Sequence, residues 1–145
     1  MKFLLLSSVM LLLIACQDDN SERIHPAEFL INEKGWVCYA YKRSPEGDTT
    51  AFIEQKPYIL LGEYGNGIHF EDNSQCYIQY TDGTTAVPQN GILKTWERIS
   101  MDSLRFHSLH SDTIEAEIVE ITEDSLYLRY HQVGDIWRYK LRRIP

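Results

Sequence analysis

Apart from four residues near its C-terminal end, the sequence has no basic run of the kind found on nucleic-acid-binding surfaces. Its formal net charge is −7 at pH 7. The dense positive stretch is confined to Arg138, Lys140, Arg142 and Arg143. We interpret these residues as one exposed face of a strand. The acidic balance therefore argues against nucleic acid as a partner.

The chain also lacks the signatures of common enzymes. No serine stands in a Gly-x-Ser-x-Gly elbow, and no cysteine begins a helix, where its pKa would be lowered. Gly62, Gly65 and Gly67 do not open a helix, so they do not indicate a phosphate cradle. We therefore predict a protein that is not an enzyme, with no catalytic residues and no cofactor.

Metal ligation has little support. His107 and His110 are three residues apart, a spacing that puts them on opposite faces of a strand. A metal site needs three or four converging ligands, so we predict none and interpret the two histidines as solvated residues at a strand end. Glu115 and Glu117 share one strand face and are expected on its solvated side.

The sequence does contain an apolar N-terminal run that ends in a cysteine. Lys2 gives a basic start, and residues 3–14 are apolar apart from two serines. This run is shorter than the about 20 residues of a spanning helix. It closes with Leu-Ile-Ala-Cys at residues 13–16, which resembles the lipobox of bacterial lipoproteins. The resemblance implies that residues 1–15 are a cleaved signal peptide and that acylated Cys16 attaches the protein to a lipid membrane.

An acidic polar stretch follows the cysteine. Residues 17–22 read Gln-Asp-Asp-Asn-Ser-Glu, which is typical of a solvated tether. We assign residues 16–24 to the lipidated cysteine and its tether. The stretch is similar to the export signal of surface lipoproteins in Bacteroidota-type bacteria, and the alternative is a spacer facing the periplasm. The protein is thus expected at the outer membrane, either facing the periplasm or exposed at the cell surface.

Residues 25–145 are long enough for one domain with its own core. Residues 25–32 predict two helical turns, with Pro26 at a first helical position. From Gly35 onward, β-branched and aromatic residues alternate with polar ones, and a turn signal recurs about every ten residues. The expected strands are 36–43, 51–61, 68–70, 75–80, 91–99, 103–109, 113–122, 125–130 and 136–144.

This pattern predicts an all-β fold, an antiparallel up-and-down barrel or sandwich of about eight strands. No helical stretch is long enough for the crossover that parallel strands need. Pro57 within the second strand implies an edge, a bulge or a break. Alternation in the first strand places Trp36, Cys38 and Ala40 on one face, and Val37, Tyr39 and Tyr41 on the other.

With Cys16 lipidated, Cys38 and Cys76 are the two cysteines that remain. An exported protein is in an oxidising compartment, where a disulfide between them can form. It would close a long loop and stabilise the fold by roughly 4 kcal/mol. The alternative is two separate buried thiols that pack as small hydrophobic groups. The sequence leaves both alternatives open.

The opening and closing strands carry one further pattern. Its parts are the adjacent Gly35-Trp36 pair, residues 118–128 and the ending over 139–143. Together they resemble the lipocalin-like lipoproteins of Bacteroidota. The resemblance implies a lipocalin-like barrel. Our first hypothesis for its function is that the mouth of this barrel binds a small apolar or glycan-derived molecule. The aromatic residues expected to line such a pocket are Trp36, Tyr39, Trp96, Trp137 and Tyr139.

A second function stays open beside the ligand-binding barrel. It is an accessory or inhibitor lipoprotein that binds another envelope protein through the rim of the barrel or an edge strand. The two functions predict different interiors. An open apolar pocket favours a small ligand, and a filled barrel with an exposed apolar patch favours a protein partner.

A tripeptide of Asp, then Ser or Thr, then an aliphatic residue or Thr recurs in the chain. It resembles the O-glycosylation acceptor of Bacteroidota, which implies acceptors at Thr49, Ser103, Thr113 and Ser125. The alternative is structural, because Asp ends turns, Ser or Thr starts strands and an aliphatic residue then enters the core.

Overall fold

The chain folds into a closed antiparallel β-barrel. The computed structural model describes residues 26–45, 51–84, 91–108 and 112–145. The signal peptide and the tether that the sequence predicts lie outside the described residues, as do Thr49 and His110. Within the described ranges, no helix has the length and apolar character needed to cross a membrane.

One short helix precedes ten strands in the described part of the chain. Helix α1 spans Pro26–Leu30, inside the predicted helical turns. The strands are β1 (Trp36–Ser44), β2 (Ile59–Leu60), β3 (Glu63–Tyr64), β4 (Gly67–Phe70), β5 (Gln75–Gln79), β6 (Ile92–Ser100), β7 (Ser103–Ser108), β8 (Ile114–Ile121), β9 (Ser125–Gln132) and β10 (Asp135–Arg143). Apart from the predicted strand over 51–61, each expected strand is present with its ends close to the predicted ones.

Eight of these strands close the barrel. Their order around it is β1-β10-β9-β8-β7-β6-β5-β4, and each neighbouring pair is antiparallel. The ring closes where Trp36 and Val37 of β1 pair with Ile68 and Gly67 of β4. The predicted antiparallel up-and-down barrel is confirmed, and its architecture is consistent with a lipocalin-like barrel.

The predicted strand over 51–61 is wrong. Ile53 makes one bridge to Tyr41 of β1, and the later residues Ile59–Leu60 form the short strand β2. Pro57 lies between these two parts, where a residue without an amide hydrogen interrupts pairing. Strands β2 and β3 form a two-stranded hairpin separate from the barrel sheet.

The two ends of the barrel differ. At the end where β1 begins, which we call the closed end, Leu30 of α1 is fully buried and Ile31 bridges to Phe70. The indole nitrogen of Trp36 donates to the carbonyl oxygen of Leu30 at 2.9 Å, which ties α1 to the barrel. The opposite end, where β1 ends at Ser44, is the mouth.

A β-bulge in β1 changes which residues face inward. The register shifts between Cys38 and Ala40, so that Ala40 lies opposite Lys140, and Tyr41 lies opposite Tyr139. Directly paired residues share a face, and Tyr139 belongs to the core. Tyr41 therefore faces the interior, and the predicted grouping of Ala40 with Cys38 is wrong because an inserted residue breaks strict alternation.

Side chains from all eight barrel strands fill the interior. At the closed end, Phe70 packs edge-on against Trp96 with ring centroids 5.3 Å apart, and Phe106 lies 6.0 Å from Phe70. The indole nitrogen of Trp96 donates to the carbonyl oxygen of Gln75 at 3.0 Å. Both ends of the barrel thus contribute to one continuous apolar core.

The structure has Cys38 and Cys76 as free, buried thiols, the second of the two alternatives left open by the sequence. Burial raises the pKa of each thiol to about 12, and at Cys76 the charge of Lys94 opposes that shift. Since the thiolate is the reactive form, both cysteines are expected to be inert in the folded protein.

We expect iodoacetamide at pH 8 to leave both thiols unmodified in the native protein that carries Cys16→Ser, which removes the third cysteine. After unfolding without reductant, both should react, and the intact mass should rise by two carbamidomethyl groups. A chain that takes up no label until a reductant is added would instead contain the Cys38–Cys76 disulfide.

Candidate binding site at the mouth of the barrel

The hairpin β2–β3 inserts into the mouth. We call residues 59–64 the plug. Leu60 and Leu61 at its tip are 0% exposed and belong to the barrel core. Leu61 has a φ of 51° and Gly62 a φ of 79°, which is the backbone of a tight two-residue hairpin turn. The turn therefore places two leucine side chains together inside the barrel.

The plug is attached to the barrel mainly through side chains. Its strands have two residues each and pair with one another rather than with the barrel. The amide of Gly65 donates to the carbonyl oxygen of Tyr58 at 2.9 Å, which closes the base of the hairpin. Leu61 is a non-glycine residue in the left-handed region, a conformation that costs about 1–2 kcal/mol.

An ion pair joins the plug to the barrel wall. Lys94 on β6 lies directly opposite the core residue Cys76 and faces the interior, with a side chain 0% exposed. Its Nζ lies 2.9 Å from Oε1 of Glu63, whose side chain is 15% exposed. Ser108 on β7 donates its hydroxyl to the same carboxylate oxygen at 3.0 Å. The ammonium group is within ion-pair distance, but it makes no hydrogen bond of normal geometry.

Stacked aromatic rings flank the plug. The ring of Trp137 is stacked with those of Tyr130 and Tyr139, with centroids 6.2 and 6.0 Å away. The hydroxyl of Tyr139 donates to the carbonyl oxygen of Ile59 at 2.9 Å, and the two tyrosine hydroxyls are 3.1 Å apart. The guanidinium of Arg43 lies over the ring of Trp137, 5.0 Å from its centroid.

Burial keeps these tyrosines protonated. Burial raises the pKa of Tyr130 to about 12, while hydrogen bonds with Tyr139 and with the backbone of Gly62 and Leu61 act in the opposite direction. Burial also raises the pKa of Tyr139, and its neighbour Tyr130 adds to the shift. Both hydroxyls therefore stay protonated over the physiological pH range.

The structure divides the aromatic residues predicted to line a pocket. Trp137 and Tyr139 lie together at the mouth. Trp36 and Trp96 are buried at the closed end, where they pack as core. Tyr39 is 44% exposed and lies outside the barrel, in a surface groove with neighbours such as Tyr127 and Lys140.

Sequence reasoning did not single out Lys94 and Glu63. A signal for the first was present, because strand alternation places Lys94 on the same face as Trp96, which reads as a core residue. No local pattern indicates Glu63, because it reaches the interior only through the break near Pro57 and the hairpin that follows.

The residues proposed as glycosylation acceptors also have a structural explanation. Ser103 begins β7 and Ser125 begins β9, each directly after an aspartate in a tight turn. Thr113 is exposed and precedes β8. Turn and strand preferences account for this pattern, and modification of these residues stays a prediction.

Carboxylates on the outer face of the sheet pair with arginines. Arg105 lies 2.7 Å from Glu115, and Arg129 donates to Glu117 at 2.8 Å. These are largely solvated pairs, each with little effect on stability. His107 is exposed, and the described ranges contain no group of three or more His, Cys, Asp or Glu side chains that could hold a metal.

A separate groove of about 660 Å³ lies outside the barrel, near its closed end. Its wall includes Lys34, Asp124, Arg142 and Arg143. These charged residues are exposed on the outer surface, whereas the plug, the stacked rings and the buried ion pair meet at the mouth. The mouth is therefore the stronger candidate site.

Comparison of the chain with protein-family models, with curated proteins and with solved structures gives no match. A barrel of this kind supports many unrelated functions. The function is therefore argued from the chemistry of the mouth.

Proposed function

We propose that this protein is a membrane-anchored, non-enzymatic binding protein that holds a small apolar molecule inside the mouth of its barrel. The observation that carries the proposal is the plug, a hairpin outside the barrel sheet that buries two leucines in the interior. A ligand would occupy the volume that the side chains of Leu60 and Leu61 fill while the plug is inside the barrel. The barrel wall need not change, because the plug shares no strand pairing with it.

The structure of the plug favours its displacement. Its two strands are short, its tip contains a left-handed leucine, and its attachment is concentrated in a few side-chain contacts. Local units with few contacts open more readily than the core of a sheet. Withdrawal of the plug would expose the aromatic rings of Trp137 and Tyr139 to a ligand.

We propose further that acylated Cys16 anchors the protein at the outer membrane. Helix α1 begins at Pro26 and packs at the closed end, so the preceding tether joins the domain there. Residues 17–25 can span at most about 30 Å when extended. This arrangement turns the mouth away from the membrane, where it can exchange a ligand with the surrounding fluid.

Binding to another envelope protein is the second candidate. Tyr58 is 77% exposed, Tyr64 70% and Tyr80 53%, and the rings of Tyr58 and Tyr80 contact edge to face. Exposed tyrosines are enriched at protein interfaces. The interior is filled by side chains, and a filled barrel with exposed apolar residues favours a protein partner over a small ligand.

The plug can be tested with a matched pair of substitutions. Leu61 and Val133 are both left-handed residues followed by a left-handed glycine, but Leu61 is buried in the mouth and Val133 is 94% exposed. We expect Leu61→Gly to raise the affinity for the neutral probe N-phenyl-1-naphthylamine about tenfold, because it removes a side chain that competes for the site. The measurement is fluorescence titration of residues 16–145 with Cys16→Ser.

The control Val133→Gly should bind the probe as the unsubstituted protein does. Equal affinities for the two variants would show that the probe does not enter the mouth. Native mass spectrometry of the lipidated protein from its own host separates the two candidate functions. A bound small molecule supports a ligand site in the mouth. A bound protein supports an interface that includes the exposed tyrosines Tyr58, Tyr64 and Tyr80.

A further inference from the structure

We propose that the ligand of this barrel is an apolar carboxylate and that Lys94 binds its carboxylate group. The inference rests on the proposed function and names the class of ligand. The observation behind it is a fully buried ammonium group whose ion-pair partner, Glu63, belongs to the plug and not to the barrel sheet.

The burial of Lys94 is not explained by stability. Taking an ammonium and a carboxylate out of water costs several kcal/mol for each ion, and apolar residues at such positions are often as stabilising. In addition, while the plug is in place the Nζ of Lys94 makes no hydrogen bond of normal geometry. The ammonium group of Lys94 therefore becomes available to a ligand when Glu63 is displaced.

When the plug withdraws, the charge on the head group of the ligand determines how tightly the ligand binds. When Glu63 leaves with the plug, the ammonium of Lys94 loses its counter-charge inside the barrel. A carboxylate ligand restores that charge, so one carboxylate replaces another. An alcohol leaves the cation unpaired, and an amine adds a second positive charge. The site therefore discriminates by charge as well as by size.

A second donor points to the same chemistry. Ser108 lies opposite Lys94 on the adjacent strand, and its hydroxyl donates to the carboxylate of Glu63 at 3.0 Å. Two donors from the barrel wall thus meet one carboxylate oxygen, and both stay in place when the plug leaves. The apolar part of the ligand would lie where Leu60 and Leu61 pack, which sets its size near that of two leucine side chains.

The test compares three probes that share one chain and differ in the head group. Decanoate, 1-decanol and decylamine are titrated by calorimetry into residues 16–145 with Cys16→Ser, below the concentrations at which they form micelles. We expect decanoate to bind at least about tenfold more tightly than decanol, with decylamine weakest, since a hydrogen bond to a charged group discriminates by this factor or more.

Two variants locate the effect. Lys94→Met should remove the preference for decanoate and raise the affinity for decanol, because the alcohol then no longer leaves a buried ammonium without a counter-charge. The matched control is Lys56→Met, which removes the same charge from an exposed lysine, and it should leave the affinities for both probes as they were. Glu63→Gln should raise the affinity for decanoate, because it removes the competing carboxylate.

The outcomes separate this inference from the function on which it rests. Equal binding of decanoate and decanol to the unsubstituted protein would overturn the role of Lys94 and leave the binding function in place. Failure of all three probes to bind both this protein and its Leu61→Gly variant would overturn the binding function itself. Should Lys94→Met fail to fold, the head-group comparison and Glu63→Gln still decide the matter.

Discussion

Glu63→Leu is expected to destabilise the protein by about 3–5 kcal/mol, because it leaves the ammonium of Lys94 buried without a counter-charge. The Lys94 side chain is 0% exposed, so water cannot replace the lost carboxylate while the plug stays in place. The effect is a large share of the 5–15 kcal/mol that stabilises a typical domain. Urea unfolding followed by circular dichroism measures it.

The double variant Lys94→Met with Glu63→Leu is the control. Removing both charges should restore most of the lost stability, because an apolar pair of similar volume is often as stable as a buried ion pair. Lys94→Met alone should cost less than Glu63→Leu, since Glu63 is 15% exposed and can turn toward water. A loss below about 1 kcal/mol for Glu63→Leu would show that the pair is not buried in solution.

Trp36→Ala is expected to cost about 3–5 kcal/mol through the cavity it leaves in the core. The indole is 0% exposed, and its N–H is the donor to the Leu30 carbonyl oxygen. Loss of the ring therefore empties the closed end and also releases α1. Urea unfolding gives the stability, and hydrogen exchange of the α1 amides should show faster exchange than in the unsubstituted protein.

Tyr39→Ala is the matched control on the same strand. Tyr39 faces the outside and is 44% exposed, so its removal should change the free energy of unfolding by no more than about 0.5 kcal/mol. Trp36→Phe should fall between the two, because it keeps much of the buried area and loses the hydrogen bond. Similar losses for Trp36→Ala and Tyr39→Ala would contradict the assignment of Trp36 to the core.

Most of the strands could be predicted because their signals are local. Strand β10 shows this clearly, since Trp137, Tyr139 and Leu141 alternate with basic residues. This repeat of two residues identifies both a strand and the face that points inward. Turn residues located the hairpins of β4–β5 and β6–β7 in the same way. The β-bulge after Cys38 could not be predicted, because its position depends on the pairing of β1 with β10.

The candidate site was only partly predictable for the same reason. Trp137 and Tyr139 were expected to line a pocket, and they lie beside the plug. Lys94 and Glu63 were not singled out, because their contact joins two segments distant in the chain. It also depends on a hairpin whose first strand, β2, was predicted as the end of the longer strand 51–61. Contacts of this kind have no local pattern.

The sequence by itself determined an antiparallel all-β domain, because side-chain alternation and turn chemistry act between neighbouring residues. It also predicts the lipid anchor at Cys16, which depends on a short motif. The tertiary structure alone decided that the barrel closes, that Tyr41 faces inward, and that a plug brings Glu63 to Lys94. Each of these depends on the register between strands and on the exclusion of water from a shared interior.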